Sequence, residues 1–194
     1  MRLMQTTPAR WTRRVEGTYG DDPPRGHVKL AVGDLVVYGN HGAGFIAARR
    51  EQTILGTQQE VIVIQLEDDL TVTLPLDLAR EQLRPPAGKS DIDRVRRALR
   101  EDRELGSDPW LARRTASLEK LTSGNPVQLA ELVSEGAQRE RFRRARGNKQ
   151  QLSPGEREIF TKARRLLSRE VAVALGMESS AADGWIEEHV ARPA

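Results

Sequence analysis

The chain changes its hydrophobic period once, at the segment Pro85-Pro86-Ala87-Gly88. Before this segment, apolar and polar residues alternate in short β-branched runs, whereas after it apolar residues recur at helical spacing. Alternation is typical of strands, and recurrence every three or four residues is typical of helices. A chain of 194 residues with this single change therefore predicts an α+β fold in which the strands precede the helices.

The first half contains short strand-like runs that are joined by tight turns. The runs are Leu35–Tyr38, Phe45–Ile54, Glu60–Ile64 and Leu70–Leu74, and the turns between them are Gly39–Gly44, Gly56-Thr57 and Glu67–Asp69. Because several short strands at close spacing favour a closed antiparallel sheet, we predict a small antiparallel β-barrel.

The second half carries start and stop signals for helices. Ser90 with Asp93, and Ser153 with Glu156, are spaced as capping pairs. Further signals are Pro109 at a first helical position after Ser107 or Asp108, Asn125-Pro126 at another start, and Gly124 and Gly176 at stops. The predicted organisation is a flexible tail over residues 1–27, a barrel over 28–88 and an all-α domain over 89–194.

The composition excludes several classes of function. The chain has no cysteine, and its histidines (His27, His41 and His189) are scattered without the spacing of metal ligands. No cluster assembles a nucleophile, a metal site or a nucleotide loop, so we expect a protein that is not an enzyme and that needs no metal or cofactor. No segment reaches the roughly 20 apolar residues of a membrane span, and Met1–Gly26 lacks a signal-peptide pattern. We therefore expect a cytoplasmic protein without a membrane partner.

Charge is unevenly distributed along the chain. Residues 28–88 carry 5 basic against 8 acidic side chains, whereas residues 89–194 carry 21 against 17. This asymmetry suggests that the helical part faces nucleic acid and that the strand part faces a different partner.

Trp110 is the aromatic residue of most interest in the basic half. On a helix it shares a side with Arg113, Arg114 and Ser117, whereas the stripe of Leu111, Leu118 and Leu121 is rotated away from it. A flat ring beside guanidinium groups can wedge against bases while the arginines hold phosphates. A half-buried residue that packs one helix on another is the alternative, and helical spacing alone leaves both open. Trp185, beside Ile186 and Val190, is predicted to be a core residue.

Two further arginines are candidate DNA contacts. Arg144 lies in the basic stretch Arg139–Lys149, and Arg165 lies beside Arg164 in the following helix. Such stretches are more often solvated helix faces, and Glu135 and Glu140 can pair with some of these arginines at helical spacing.

Four segments in register give the chain a resemblance to the CarD/CdnL family of bacterial transcription regulators. They are Val32-Gly33-Asp34-Leu35-Val36-Val37-Tyr38-Gly39-Asn40-His41-Gly42-Ala43-Gly44, Asp69–Pro75, Trp110–Gly124, and Leu152-Ser153-Pro154-Gly155-Glu156 with the helix after it. Together they cover about residues 30–175. Gly39 stands where the family usually has proline, and residues 1–27 have no counterpart.

The resemblance implies a fold and a mechanism without covalent chemistry. The barrel is expected to be a Tudor-like domain that binds the β subunit of RNA polymerase, and the helical domain is expected to lie on promoter DNA at the upstream edge of the transcription bubble. Trp110 would wedge into the minor groove and slow bubble collapse, while Arg113, Arg114, Arg144 and Arg165 would contact phosphates with little sequence specificity. The protein would act as a monomer on the polymerase.

The expected polymerase contacts depart from the family pattern. Family members commonly have arginine at the positions that match Gln52 and Thr73, and Ile54 is expected to lie between these two positions in space. These substitutions motivate one alternative, a protein-interaction adaptor with an altered partner. A further alternative is a stand-alone DNA-binding protein that is not tethered to polymerase.

Overall fold

The computed structural model describes residues 30–66, 70–103, 105, 109–145 and 152–190. Within these residues the strands precede most of the helices, as the change of hydrophobic period predicted. The predicted tail over residues 1–27, the Glu67–Asp69 turn, the capping residues Ser107 and Asp108, and the end of the basic stretch lie outside the described residues.

The strands form one antiparallel sheet of five. They are β1 (Leu35–Tyr38), β2 (Gly42–Ile54), β3 (Thr57–Leu66), β4 (Thr71–Pro75) and β5 (Leu83–Arg84), in the spatial order β4-β3-β2-β1-β5. The four predicted strands are confirmed, and β2 and β3 are longer than their apolar runs indicated. Leu55 and Gly56 join them in a tight turn in which both residues have positive φ, 50° and 81°, as two-residue hairpins require.

A short helix, α1 (Leu76–Gln82), connects β4 to β5. Neither α1 nor β5 was predicted, because seven and two residues are too short for a hydrophobic period to appear. Ala79 of α1 and Leu83 of β5 are buried in the core of the sheet with Ile46, Ile62 and Leu74. The predicted strand domain therefore needs a helix to complete its core.

Five further helices form the second half of the fold. They are α2 (Lys89–Arg100), α3 (Trp110–Ser123), α4 (Pro126–Ala145), α5 (Pro154–Leu175) and α6 (Ser179–His189). Their core is centred on fully buried leucines of α2, α4 and α5 and on Ile186 of α6. Trp185 is half-buried against this core and stacks on His189 at 4.2 Å between ring centroids, so its predicted packing role is confirmed in part.

The predicted start signals are confirmed for two helices, α5 and α4. Ser153 and Glu156 form the predicted capping box, with bonds of 3.3 and 3.0 Å, and Asn125 caps α4 through Val127 at 2.9 Å. The prediction for α2 was wrong by two residues: the helix begins at Lys89, and the N–H of Gly88 donates to Asp91 at 3.2 Å. The prediction for α3 was wrong by one residue: Pro109 is the N-cap rather than the first helical residue, and the helix begins at Trp110.

The segment at which the period changes is packed rather than free. Arg84 of β5 donates two hydrogen bonds to Glu170 of α5, at 2.5 and 2.7 Å, and a third to the carbonyl of Gly124 at 2.6 Å. The N–H of Ala87 also donates to Glu170 at 3.1 Å, and Ala87 is buried in the helical core. The predicted domain boundary is therefore a tightly bonded joint between the two halves.

A second contact across the joint involves two glycines. Gly39 follows β1 and Gly124 ends α3, and both have positive φ, 41° and 61°. A Cβ atom on Gly124 would lie 2.5 Å from the carbonyl oxygen of Gly39, which is closer than real Cβ contacts. Gly39 stands where the resemblance expects proline. Because proline cannot adopt a positive φ, the backbone of Gly39 has a conformation that proline could not have.

Candidate nucleic-acid interface at Trp110

Trp110 is the first residue of α3, and its side chain is neither buried nor free. It is 38% exposed. One edge of its indole ring faces the first turn of α5, where a Cβ atom on Gly155 would lie 3.5 Å from Cζ2. The ring therefore lies at ordinary van der Waals distance from the backbone of α5 at Gly155. The side chain thus packs on α5 along one edge and stays partly exposed to solvent.

Arg113 lies one turn along α3 and contacts the ring. Its guanidinium carbon lies 5.8 Å from the centroid of the Trp110 ring, within the range of a cation–π contact. The prediction that these two residues share a side of the helix is confirmed. The same guanidinium donates to Glu156 at 3.4 Å, and the Arg113 side chain is 21% exposed. Arg113 therefore links the indole ring of Trp110 to Glu156 at the start of α5.

Glu156 is the buried acid of this site. Its side chain is 4% exposed, and it lies 3.4 Å from Arg143 of α4 as well as from Arg113. Burial opposes the charged form, but the bonds with Ser153, the charge of Arg143 and the bond from Arg113 together hold the pKa of Glu156 below its ordinary value. Glu156 is thus ionised at neutral pH between two cations.

The site brings together three helix ends: the start of α3, the last turns of α4 and the start of α5. Arg143 contributes from α4, four residues beyond Arg139, which pairs with Glu135 at 2.9 Å. Glu156 and Arg143 were not predicted as members of this site. The sequence predicted Glu156 only as a capping residue, because nothing in it shows that α4 ends beside the start of α5.

The remaining predicted DNA contacts divide into two groups. Arg114 is exposed next to Arg113, and Arg144 is 81% exposed with a long contact of 3.8 Å to Glu140. Each of these arginines directly follows a member of the Trp110 site on its helix: Arg114 follows Arg113, and Arg144 follows Arg143. Arg165 is exposed but lies about 14 Å along the axis of α5 from Glu156. The described contacts do not bring Arg165 into the Trp110 site.

The predicted leucine stripe of α3 is wrong at its first member. Leu118 and Leu121 pack on the helical core, whereas Leu111 is 70% exposed. The start of α3 extends past the core, and Trp110 occupies the side that meets α5. One residue step turns the helix by about 100°, so Leu111 is rotated toward solvent.

The predicted polymerase contacts lie on one face of the sheet. Gln52 and Thr73 are exposed, and Ile54 is half-buried beside the hairpin turn. Gln52 pairs with Gln59 and Ile54 with Thr57, whereas Thr73 pairs with Val63 and so lies level with Ala48. Residues two apart on a strand share a face. The expectation that Ile54 lies between the other two is therefore wrong, because it lies beyond Gln52 at the tip.

Two family models match the chain. Residues 30–86 match the CarD-like/TRCF RID domain, and residues 94–187 match the CarD C-terminal domain. The two matches correspond to the sheet with α1 and to the helices that follow. The chain belongs to the CarD-like family. Proteins of this family are RNA polymerase-associated transcription regulators rather than enzymes, and the Tudor-like character of the strand domain follows from the first match.

No described helix is long and apolar enough to cross a membrane. The described part of the chain also holds no group of three or more acidic, histidine or cysteine side chains placed to bind a metal ion.

Proposed function

We propose that this CarD-like protein binds the β subunit of RNA polymerase through its sheet and contacts upstream promoter DNA through the Trp110 site. The observation that carries the proposal is the half-exposed indole of Trp110, held beside a guanidinium and next to exposed arginines. An indole inserted at a base step costs a few kcal/mol of stacking, which contacts to the distorted DNA repay. The protein thereby stabilises the open promoter complex.

The direction of the effect follows from differential binding. A ligand shifts an equilibrium only by the difference between its affinities for the two states. A ring that fits the edge of an open bubble binds the open complex better than the closed one, and it therefore slows collapse of the bubble. Arginines such as Arg114 and Arg144 add contacts to phosphates that are independent of sequence and weaken with salt.

The lifetime of the open complex tests the DNA contact. Polymerase is assembled on promoter DNA with the wild-type protein, Trp110→Ala or Leu111→Ala, and collapse is followed after a competitor is added. We expect Trp110→Ala to shorten the lifetime while Leu111→Ala, which removes a neighbouring exposed side chain, leaves it unchanged. Equal lifetimes for wild type and Trp110→Ala would reject the wedge.

The polymerase contact is proposed for the face of the sheet that carries Gln52, Ile54 and Thr73. Arg50 is exposed on the same face, because it lies two residues before Gln52 on β2. This arginine places one positive charge on the face, although Gln52 and Thr73 are neutral. The face therefore combines a cation, two neutral polar side chains and an apolar residue at the hairpin tip.

Binding to the isolated β subunit tests the polymerase contact. We expect Ile54→Asp to abolish binding, because it places a carboxylate where an apolar side chain meets the partner. Thr53→Asp, on the opposite face of the same strand, is the matched control and should bind normally. A wild-type protein that binds no β subunit would instead favour an adaptor with another partner, and tight binding to naked duplex would favour a stand-alone DNA-binding protein.

A further inference from the structure

Contacts with Trp110 and Glu156 restrict the side chain of Arg113. Its guanidinium lies over the Trp110 ring and also reaches the carboxylate of Glu156. A guanidinium held by a buried acid and a ring has less freedom to follow a phosphate than an exposed arginine has. The role of Arg113 is therefore different from that of Arg114, although the two are neighbours in sequence.

Glu156 holds more than its own helix end. The capping box with Ser153 needs only a side-chain acceptor at this position, and glutamine supplies one as well as glutamate does. The negative charge is needed for a different purpose, because it lies between Arg113 and Arg143 with only 4% of the side chain exposed. Without that charge, two guanidinium groups from α3 and α4 would converge on a neutral side chain.

We propose that Glu156 is the positioning residue of Trp110, and that it acts through Arg113. The buried carboxylate fixes the Arg113 guanidinium, the guanidinium lies against the indole, and the indole is thereby held in the orientation that meets DNA. This inference rests on the proposed function for its consequence at the promoter. The positioning itself is a property of the free protein.

The first test measures the ring in the free protein. The full chain is labelled with 5-fluorotryptophan, and the fluorine signal of Trp110 is assigned with Trp110→Phe. Loss of a cation–π contact changes the ratio of held to free ring orientations by about two- to fivefold, so Glu156→Gln should move or broaden this signal. Ser153→Ala is the matched control: it removes the capping hydroxyl but keeps the carboxylate, and the Trp110 signal should stay in place.

The second test uses the sign of a charge effect at the promoter. Glu156→Gln makes the DNA-facing surface more positive by one charge, so simple electrostatics predicts tighter binding and a longer-lived open complex. Positioning predicts the opposite, a shorter lifetime. Glu158→Gln is the control, because it changes the same charge at an exposed position two residues along α5 and should lengthen the lifetime or leave it unchanged.

The outcomes separate this inference from the proposed function. An unmoved Trp110 signal in Glu156→Gln overturns the positioning role, whatever happens at the promoter. A moved signal with a lengthened open-complex lifetime also overturns it, since Trp110 would then stabilise the open complex without the Glu156 carboxylate. If Trp110→Ala leaves the lifetime unchanged while the fluorine signal moves, the proposed function fails and the positioning stands. If Glu156→Gln does not fold, Arg113→Lys replaces it in the fluorine measurement, because it keeps the charge and removes the planar group from the ring. A moved Trp110 signal then supports the positioning, and an unmoved signal overturns it.

Discussion

Arg84 and Glu170 join the two halves of the molecule through paired hydrogen bonds of 2.5 and 2.7 Å. The two residues are 86 positions apart in sequence, and Glu170 is 4% exposed. The same carboxylate accepts the N–H of Ala87, and the same guanidinium donates to Gly124. One ion pair thus organises the strand half, the joint and the end of α3.

Glu170→Gln should destabilise the fold by roughly 2 kcal/mol, because it removes the charge that is hydrogen-bonded to the partly buried guanidinium of Arg84. Urea unfolding of the full chain measures the loss. Glu187→Gln is the control, since its pair with Arg164 is exposed, and it should cost less than about 1 kcal/mol. Similar losses for both variants would show that Arg84 is satisfied without Glu170.

Gly124→Ala should destabilise the protein more than Gly176→Ala does. Both glycines end a helix with nearly equal positive φ, 61° and 63°, so both substitutions cost about 1 kcal/mol of backbone preference. Only at Gly124 would the new Cβ strike the backbone of Gly39, whereas nothing lies within 4 Å at Gly176. Thermal melts of the two variants measure the difference, and equal melting temperatures would mean that the halves separate easily.

The stabilisation that Glu156 provides should depend on pH. Its pKa is lowered in the folded protein despite burial, so its contribution is present above the ordinary glutamate pKa of about 4.3 and is lost as the pH falls through the lowered folded value. The difference in unfolding free energy between wild type and Glu156→Gln should therefore be constant near pH 7 and shrink below about pH 4. Denaturant unfolding at several pH values measures it, and a difference that grows on acidification would contradict the charge arrangement.

Arg114→Ala and Arg113→Ala should differ in how they change the salt dependence of DNA binding. If Arg114 contacts a phosphate, its removal lowers the slope of log affinity against log salt by about one. Arg113 is already paired with Glu156, so its removal should change this slope less while it shortens the open-complex lifetime more. Titrations of the polymerase–promoter complex at several salt concentrations measure both slopes.

The sequence predicted those parts of the fold that are encoded by neighbouring residues. Ser153 with Glu156, Asn125, Gly124 and Gly176 each satisfy backbone groups within a few positions, and each marks the helix end that the structure has. The alternation of apolar residues likewise predicted the four longer strands. Short elements that depend on packing against distant residues, such as α1 and β5, have no periodic pattern in the sequence.

The candidate site was predicted as far as a single helix allows. The contact between Trp110 and Arg113 follows from helical spacing and is present. The roles of Glu156 and Arg143 in this site depend on how α3, α4 and α5 meet, which no local pattern specifies. Leu111 shows the converse error, because it has the spacing of the predicted leucine stripe but is exposed at a point where the helix has passed beyond the core.

The bonded joint at Pro85–Gly88 has a consequence for how a promoter position is chosen. If the sheet is fixed to polymerase, the hydrogen bonds of Arg84 fix how far from the enzyme Trp110 can reach. Successive base pairs are about 3.4 Å apart, so a shift of this size between the halves would bring the ring to the next step. In the proposed complex, the fixed distance between the sheet and Trp110 selects the base-pair step that the ring meets, and the identity of the bases does not.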